Sequence, residues 1–216
     1  MARTGGRVIT ELQGERVELL AARAVFLPRL GALLVADLHV GKAETFQRMG
    51  VPVPRGVGGA DVARLSATIR ACAARSLWVL GDLVHDRDAL DTDEMSRLRR
   101  DHPDVALHVV RGNHDRHVPA LPDAWGFEEH AAHAALGPFD LRHEPEGGDA
   151  GPYTLCGHLH PMAKLQGAGD ELLLPCFQFG RRIGLLPAFT TWSSGVRVDP
   201  ADGRTFVVAG DEVVEL

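Results

Sequence analysis

Short apolar runs bounded by turn residues fill the first third of the chain. Residues 16–20, 24–27 and 32–36 read as β-strands, with Pro28 and Gly31 marking a turn between the last two. Residues 49–59, MGVPVPRGVGG, read as an irregular loop. The pattern then changes period: Val62, Leu65, Ile69 and Cys72 lie at helical spacing within 61–74. A buried strand at 76–80, a helix at 92–100 and a strand at 105–110 follow, and strands at 141–143 and 153–156 come later. From there the chain is strand-rich (171–174, 189–191, 195–198 and 205–208), which predicts a second sheet packed on the first. Alternating strands and helices without a linker predict one α/β domain spanning residues 1–216.

Composition narrows the class. With 216 residues, 45% hydrophobic and 24% charged, the chain can bury one core. A formal charge of −6 argues against non-specific coating of nucleic acid, though not against a local basic groove. Cys72, Cys156 and Cys176 are scattered and odd in number, as expected of a reducing, cytoplasmic setting. The first ten residues lack the apolar run of a signal peptide, and no stretch is apolar enough to span a membrane.

The chemistry lies just beyond the strands. Asp37 and His39 (DLH), Asp82 (GD), Asn113 (GNHD), His143, and His158 and His160 (GHLH) each follow a predicted strand. Carboxylate, imidazole and carboxamide donors gathered at one sheet edge suit a pair of divalent transition-metal ions, a device for splitting phosphate esters. Residues i and i+2 of an extended segment point the same way, so one ion can take both Asp37 and His39. The expected partition gives one ion Asp37, His39, Asp82 and His160. The other takes Asp82, Asn113, His143 and His158, with Asp82 bridging. Taken singly, a loop Asp or His is more often a turn former or cap than a ligand; the ordered set carries the signal.

That ordered set resembles the calcineurin-like metallophosphoesterase superfamily. The resemblance implies a four-layer αββα sandwich of two mixed β-sheets flanked by helices, with the site at the sheet edges. It also implies that His114 is not a ligand but faces the substrate, oriented by Asp115. The chain departs from the pattern at His85, where many members carry a carboxylate. The stretches DLHVGKAETFQRMGVPVPRG, RHEP, GHLHP and LPCFQFGRRIGLLPAF are similar to a bacterial group described as ligase-associated DNA damage response endonucleases. That similarity implies a phosphodiester substrate, single-stranded or damaged DNA, and association with an ATP-dependent DNA ligase and a helicase.

In the expected mechanism two ions lower the pKa of a shared water and present hydroxide to phosphorus, with His114 as general acid or as stabiliser of transition-state charge. Mixed nitrogen and oxygen donors favour Mn2+, Zn2+ or Fe over Mg2+ and Ca2+, and the resemblance favours Mn2+. The interval from Asp115 to Glu144 is too short for an inserted cap domain. Arg48, Arg55, Arg111, Arg116, Arg181 and Arg182 are candidate cations along the phosphate path, of which Arg48, Arg181 and Arg182 are the chosen substrate contacts. Two alternatives remain: a phosphoesterase acting on small molecules (cyclic nucleotides, dinucleoside polyphosphates or phosphomonoesters), and a non-catalytic scaffold. The scaffold reading predicts eroded ligand positions, and none of the seven is missing.

Overall fold

A computed structural model of the chain describes residues 6–54, 56–91, 93–146, 151–166 and 171–216. Arg55 and Thr92, which figured in the expectations above, lie outside the described residues. The first sheet runs in chain order: β1 (Arg7–Leu12), β2 (Glu15–Leu20), β3 (Ala24–Leu27), β4 (Ala32–Val35), β5 (Ser76–Leu80), β6 (Ala106–Val110) and β7 (Phe127–His130). Strands β1 to β4 form an antiparallel meander, and β4 to β7 pair in parallel. Parallel neighbours need long crossovers. Helices α1 (Lys42–Arg48) and α2 (Val57–Cys72) make the first, and α3 (Glu94–Asp101) lies in the second.

The second sheet holds β8 (His133–Leu136), β9 (Phe139–Arg142), β10 (Tyr153–Cys156), β11 (Met162–Gln166), β12 (Glu171–Phe179), β13 (Ile183–Leu185), β14 (Arg204–Ala209) and β15 (Glu212–Glu215). Its order is β15-β14-β12-β13-β10-β9-β8, with β11 paired to β12. Strands β9, β10 and β13 are parallel, and the rest antiparallel.

The uninterrupted apolar runs of β3 and β4 follow from burial on both faces. Leu33, Val35, Leu77, Val79, Leu107 and Val109 face α2 and α3, meeting Val62, Leu65, Ile69, Met95 and Leu98. Their alternates Leu34, Ala36, Leu80 and Val110 face the second sheet, against Phe139, Leu141, Leu155, Phe177 and Phe206. Cys176 and Val207 point away from that interface and are covered by Ala163 and Val198. The fold is thus an α/β structure of two mixed sheets, with the described α-helices packed on the outer face of the first. Among the described residues no helix is long and apolar enough to cross a membrane.

Three expectations need correction. Helix α2 starts at Val57, inside the stretch expected to be loop, because packing of Val62, Leu65 and Ile69 on the core outweighs the poor helix propensity of Gly58 and Gly59. The strands expected at 189–191 and 195–198 are irregular segments carrying only the isolated bridges Ala36–Ala188 and Met162–Arg197. The first of these segments instead braces the site.

Candidate metal centre

The parallel strands β4, β5 and β6, and the parallel pair β9 and β10, deliver their following loops to one edge of the sandwich. There the seven predicted donors meet. The loops after β4 and β5 are joined by backbone hydrogen bonds: Asp37 N to Gly81 O (3.2 Å), His39 N to Asp82 O (2.8 Å) and Val40 N to Leu83 O (2.9 Å). From the other side, Phe189 N donates to Ala36 O (2.7 Å) and Thr190 N to Asp37 O (3.2 Å). That segment is held in turn by Asp61 of α2. Its buried carboxylate accepts from Thr190 Oγ1 (2.9 Å) and Thr191 N (3.0 Å) and pairs with Arg64 (2.8 Å).

This bracing supports backbone strain. Asp37 (φ 54°), His39 (48°), Asp82 (50°), His158 (66°) and His160 (48°) all adopt the left-handed conformation; among the described non-glycine residues, eight do. Each such residue costs on the order of 1–3 kcal/mol, a strain that clusters at functional sites and persists only where surroundings enforce it. Space is equally tight. Gly81 (φ 78°) lies against the His143 ring, which a Cβ would overlap, and a Cβ on Gly157 would come 2.5 Å from Asp37 Oδ2.

The donor atoms form two groups around Asp82. On one side His39 Nε2 is 3.6 Å from Asp82 Oδ2, and His160 Nε2 is 3.3 Å from Asp37 Oδ1. On the other, His143 Nε2 is 3.5 Å from Asp82 Oδ1 and 2.9 Å from Asn113 Oδ1, with His158 Nδ1 3.1 Å from both Asn113 Oδ1 and His143 Nε2. Carbonyl oxygens fix two of the rings. His143 Nδ1 donates to Leu80 O (3.1 Å) and His160 Nδ1 to Ser194 O (2.9 Å), which leaves each Nε2 as the inward-facing lone pair.

The electrostatics fit a cation. Both ring nitrogens of buried His39 lack a hydrogen-bond partner, which is costly for an imidazole unless a metal takes the lone pair. Burial first, then Lys42 and the neighbouring histidines, push His39 far below its ordinary range, so it stays a neutral donor. Burial pushes Asp82 upward, the response of a carboxylate short of positive charge. Burial also opposes charge on His160, but the adjacent Asp37 carboxylate outweighs it and raises this histidine. Asp37, His39 and His160, and Asp37, Asp82 and His143, each place their donor atoms within 4.8 Å of one another.

His114 sits beside this centre, with two features the sequence did not foretell. Its Nδ1 donates to His85 O (3.0 Å), and its ring stacks on that of His85 at 5.0 Å. Asp115 does not orient it. That buried carboxylate accepts from Gly112 N (2.8 Å) and Val84 N (3.0 Å), tying the GNHD loop to the loop after β5. The His114 backbone N–H donates to Asp82 Oδ1 (2.9 Å). His85, left without a role by the sequence, reaches the same cluster as His39 and His114, and burial pushes it down to about 4.

Two of the expected arginine contacts, Arg181 and Arg182, stand away from the centre. Arg181 and Arg182 enter β13 beside the start of β10, where Arg182 O accepts from Thr154 N and Arg182 Nη2 donates to Gly151 O. The centre lies beyond the other end of β10, roughly 13 Å away at about 3.3 Å per residue. Arg48 pairs with Asp88 (3.0 Å) and Asp86 (3.6 Å). Arg111 donates to Asp115 O and Val118 O and pairs with Glu129 (2.6 Å), so it shapes the GNHD loop. Arg116 pairs with Glu144 (3.2 Å). One cation that acts on the carboxylates is one the sequence reading passed over: burial pushes half-buried Lys42 down while Asp37 and Asp82 pull it up. Its only signal was its position three residues after His39.

No family model and no curated protein matches the chain. Among solved structures, the crystal structure of the Pseudomonas putida nuclease MPE is similar at 31% identity and a TM-score of 0.85, covering 98% of this chain and 100% of that one. A phosphoesterase of E. coli, YfcE, is 15% identical over 83% of this chain and 88% of that one, with a TM-score of 0.40. The sheet order, the donors gathered at one edge and this end-to-end similarity place the chain in the calcineurin-like metallophosphoesterase superfamily, in the family of that nuclease.

Proposed function

We propose that the chain is a dimetal phosphodiesterase that cuts DNA internally. The observation that carries this reading is the position of Asp82: Oδ2 faces His39 (3.6 Å) and Oδ1 faces His143 (3.5 Å), one oxygen toward each histidine group. In this reading Asp37, His39, Asp82 and His160 hold one divalent ion, and Asp82, Asn113, His143 and His158 hold the other. Mn2+ is the first choice, with Zn2+ or Fe able to use the same mixed donors. Bound ions of this kind polarise phosphoryl oxygens and lower the pKa of water to the neutral range.

The side chains of this chain supply the rest. The His85 carbonyl holds His114 at Nδ1, leaving Nε2 to pass a proton to the departing alkoxide. Asp115 fixes the loop that carries both Asn113 and His114. Lys42 contributes positive charge beside the carboxylates, where a phosphate would otherwise be repelled. Strands β7, β8 and β9 occupy the chain between Asp115 and His143, with no inserted cap, so a polymer can reach the edge. The 31% identity to a nuclease supports a nucleic acid as substrate. A place in DNA repair beside an ATP-dependent ligase and a helicase, in the cytoplasm, belongs to this reading through the resemblance noted in the sequence.

One observation favours the small-molecule alternative: Arg181 and Arg182 stand at the far end of β10, so these two do not extend a cationic track from the edge along a strand of DNA. Circular single-stranded DNA, bis-p-nitrophenyl phosphate and p-nitrophenyl phosphate, each assayed with Mn2+, separate the readings. Linear products from circular DNA together with diester hydrolysis are the expected result. Hydrolysis of the small esters with intact circles would overturn the DNA reading.

A further inference from the structure

A second group of metal-ligating side chains lies on β6 and β7, apart from the seven donors. Glu128 and His130 are i and i+2 on β7 and so share a face, and His108 of β6 is the registered partner of Glu128. His108 Nδ1 is 3.4 Å from His130 Nε2 and 3.3 Å from Glu128 Oε2, and His130 Nε2 is 3.8 Å from Glu128 Oε1. Donors bound tetrahedrally at about 2.05 Å from one ion stand roughly 3.3 Å apart, so these separations are close to the edges of such a tetrahedron. The rings are pre-positioned. Trp78 of β5 stacks on His108 at 3.9 Å and 11°, and on His130 at 5.4 Å and 24°, while its indole N–H donates to Ser76 Oγ (3.2 Å). Burial lowers the pKa of His108, which keeps its imidazole neutral and its lone pair available. The Glu128 side chain is 66% exposed, so an ion has access from solvent.

We propose that His108, Glu128 and His130 form a separate metal site that takes one Zn2+-class ion, with the fourth tetrahedral position open to water. Two imidazoles and one carboxylate without thiolate are a donor set for Zn2+ and its borderline neighbours rather than for Ca2+ or Mg2+. Strand β7 is the edge of the first sheet, where it pairs with β6, and the chain crosses to the second sheet immediately after His130. An ion here clamps that edge strand onto β6, the strand that leads to Asn113. Its role is structural and does not depend on the reaction at Asp82.

The test is Zn2+ content after equilibrium dialysis, read by plasma mass spectrometry on the full-length protein and on His108→Gln/His130→Gln. The variant is expected to hold one Zn2+ fewer per chain than the unmodified protein, however many ions the centre at Asp82 takes. Equal content in the two proteins would overturn the proposal. Glu128→Ala changes an exposed side chain and guards against a double variant that does not fold. Removing this carboxylate is expected to weaken the same ion by at least about tenfold, followed as Zn2+ content by plasma mass spectrometry during Zn2+ titration. A titration curve unchanged by that substitution would overturn the proposal as well.

Discussion

The backbone N–H of His158 donates to both carboxylate oxygens of Asp37, at 3.2 and 3.1 Å, joining the loop after β4 to the loop after β10 across the two sheets. Asp37 is therefore an acceptor for the opposite loop as well as a candidate ligand. Asp37→Asn keeps its shape but removes the charge. We predict a fall in kcat of at least about 100-fold, since altering partners one shell further out commonly costs 10–100-fold. Steady-state hydrolysis of bis-p-nitrophenyl phosphate with saturating Mn2+ checks it.

Asp115 gives a sharper contrast. A carboxylate accepting two buried backbone amides braces a loop, and hydrogen bonds to a charged group are worth about 1.5–3 kcal/mol. Asp115→Ala should lower stability by about 3 kcal/mol in urea denaturation and should leave the alkaline limb of the pH–rate profile, on which a general acid loses its proton, where it is. A displaced limb would instead mark Asp115 as a direct partner of the His114 ring.

Gly81→Ala tests the packing of the centre. The added methyl meets the His143 ring, and φ of 78° is strained for alanine. A loss of about 1–3 kcal/mol corresponds to a melting temperature several degrees lower, at roughly 2–4 °C per kcal/mol for a chain of this size. Differential scanning calorimetry of the metal-free protein reads it directly.

In the metal-free protein, burial, the nearby His114 and Lys42 hold His85 at about 4 against an ordinary 6.5. Its folded-state pKa is depressed, so its contribution is present above about pH 6.5 and lost as pH falls toward 4, where the unfolded chain binds the additional proton. His85→Gln should therefore lose less stability than the unmodified protein between pH 7 and pH 4.5. Urea denaturation at both pH values, with chelator present, shows whether the gap narrows.

Arg182 stands at the N-terminal end of β10, away from the donors. Arg182→Ala should leave DNA cleavage within about twofold, because an uninvolved surface substitution typically costs under ~0.5 kcal/mol. A loss of tenfold or more would return this arginine to the substrate path.

The long apolar runs made the core strands legible: 24–27, 76–80 and 153–156 are strands β3, β5 and β10 with the bounds their patterns predict. Strands such as β7 (FEEH), β8 (HAAL) and β13 (IGL) carry too little alternation to be seen, because neighbouring strands rather than side-chain period hold them. The gathering of the seven candidate donors was legible because each follows a strand, and the structure brings all seven to one edge. The role of Asp115 was not, because a carboxylate next to a histidine in sequence reads as its partner, whereas the turn aims it at two amides. The arginines misled for a related reason: a charge in sequence does not reveal which end of a strand it occupies.

The most direct test is cleavage of labelled single-stranded DNA by chelator-treated protein, with and without added Mn2+, alongside Asp82→Ala. We predict no cleavage without metal, cleavage restored by Mn2+, and none from the variant at any Mn2+ concentration. Undiminished cleavage by Asp82→Ala, or by the chelated protein, would contradict a metal centre built around Asp82.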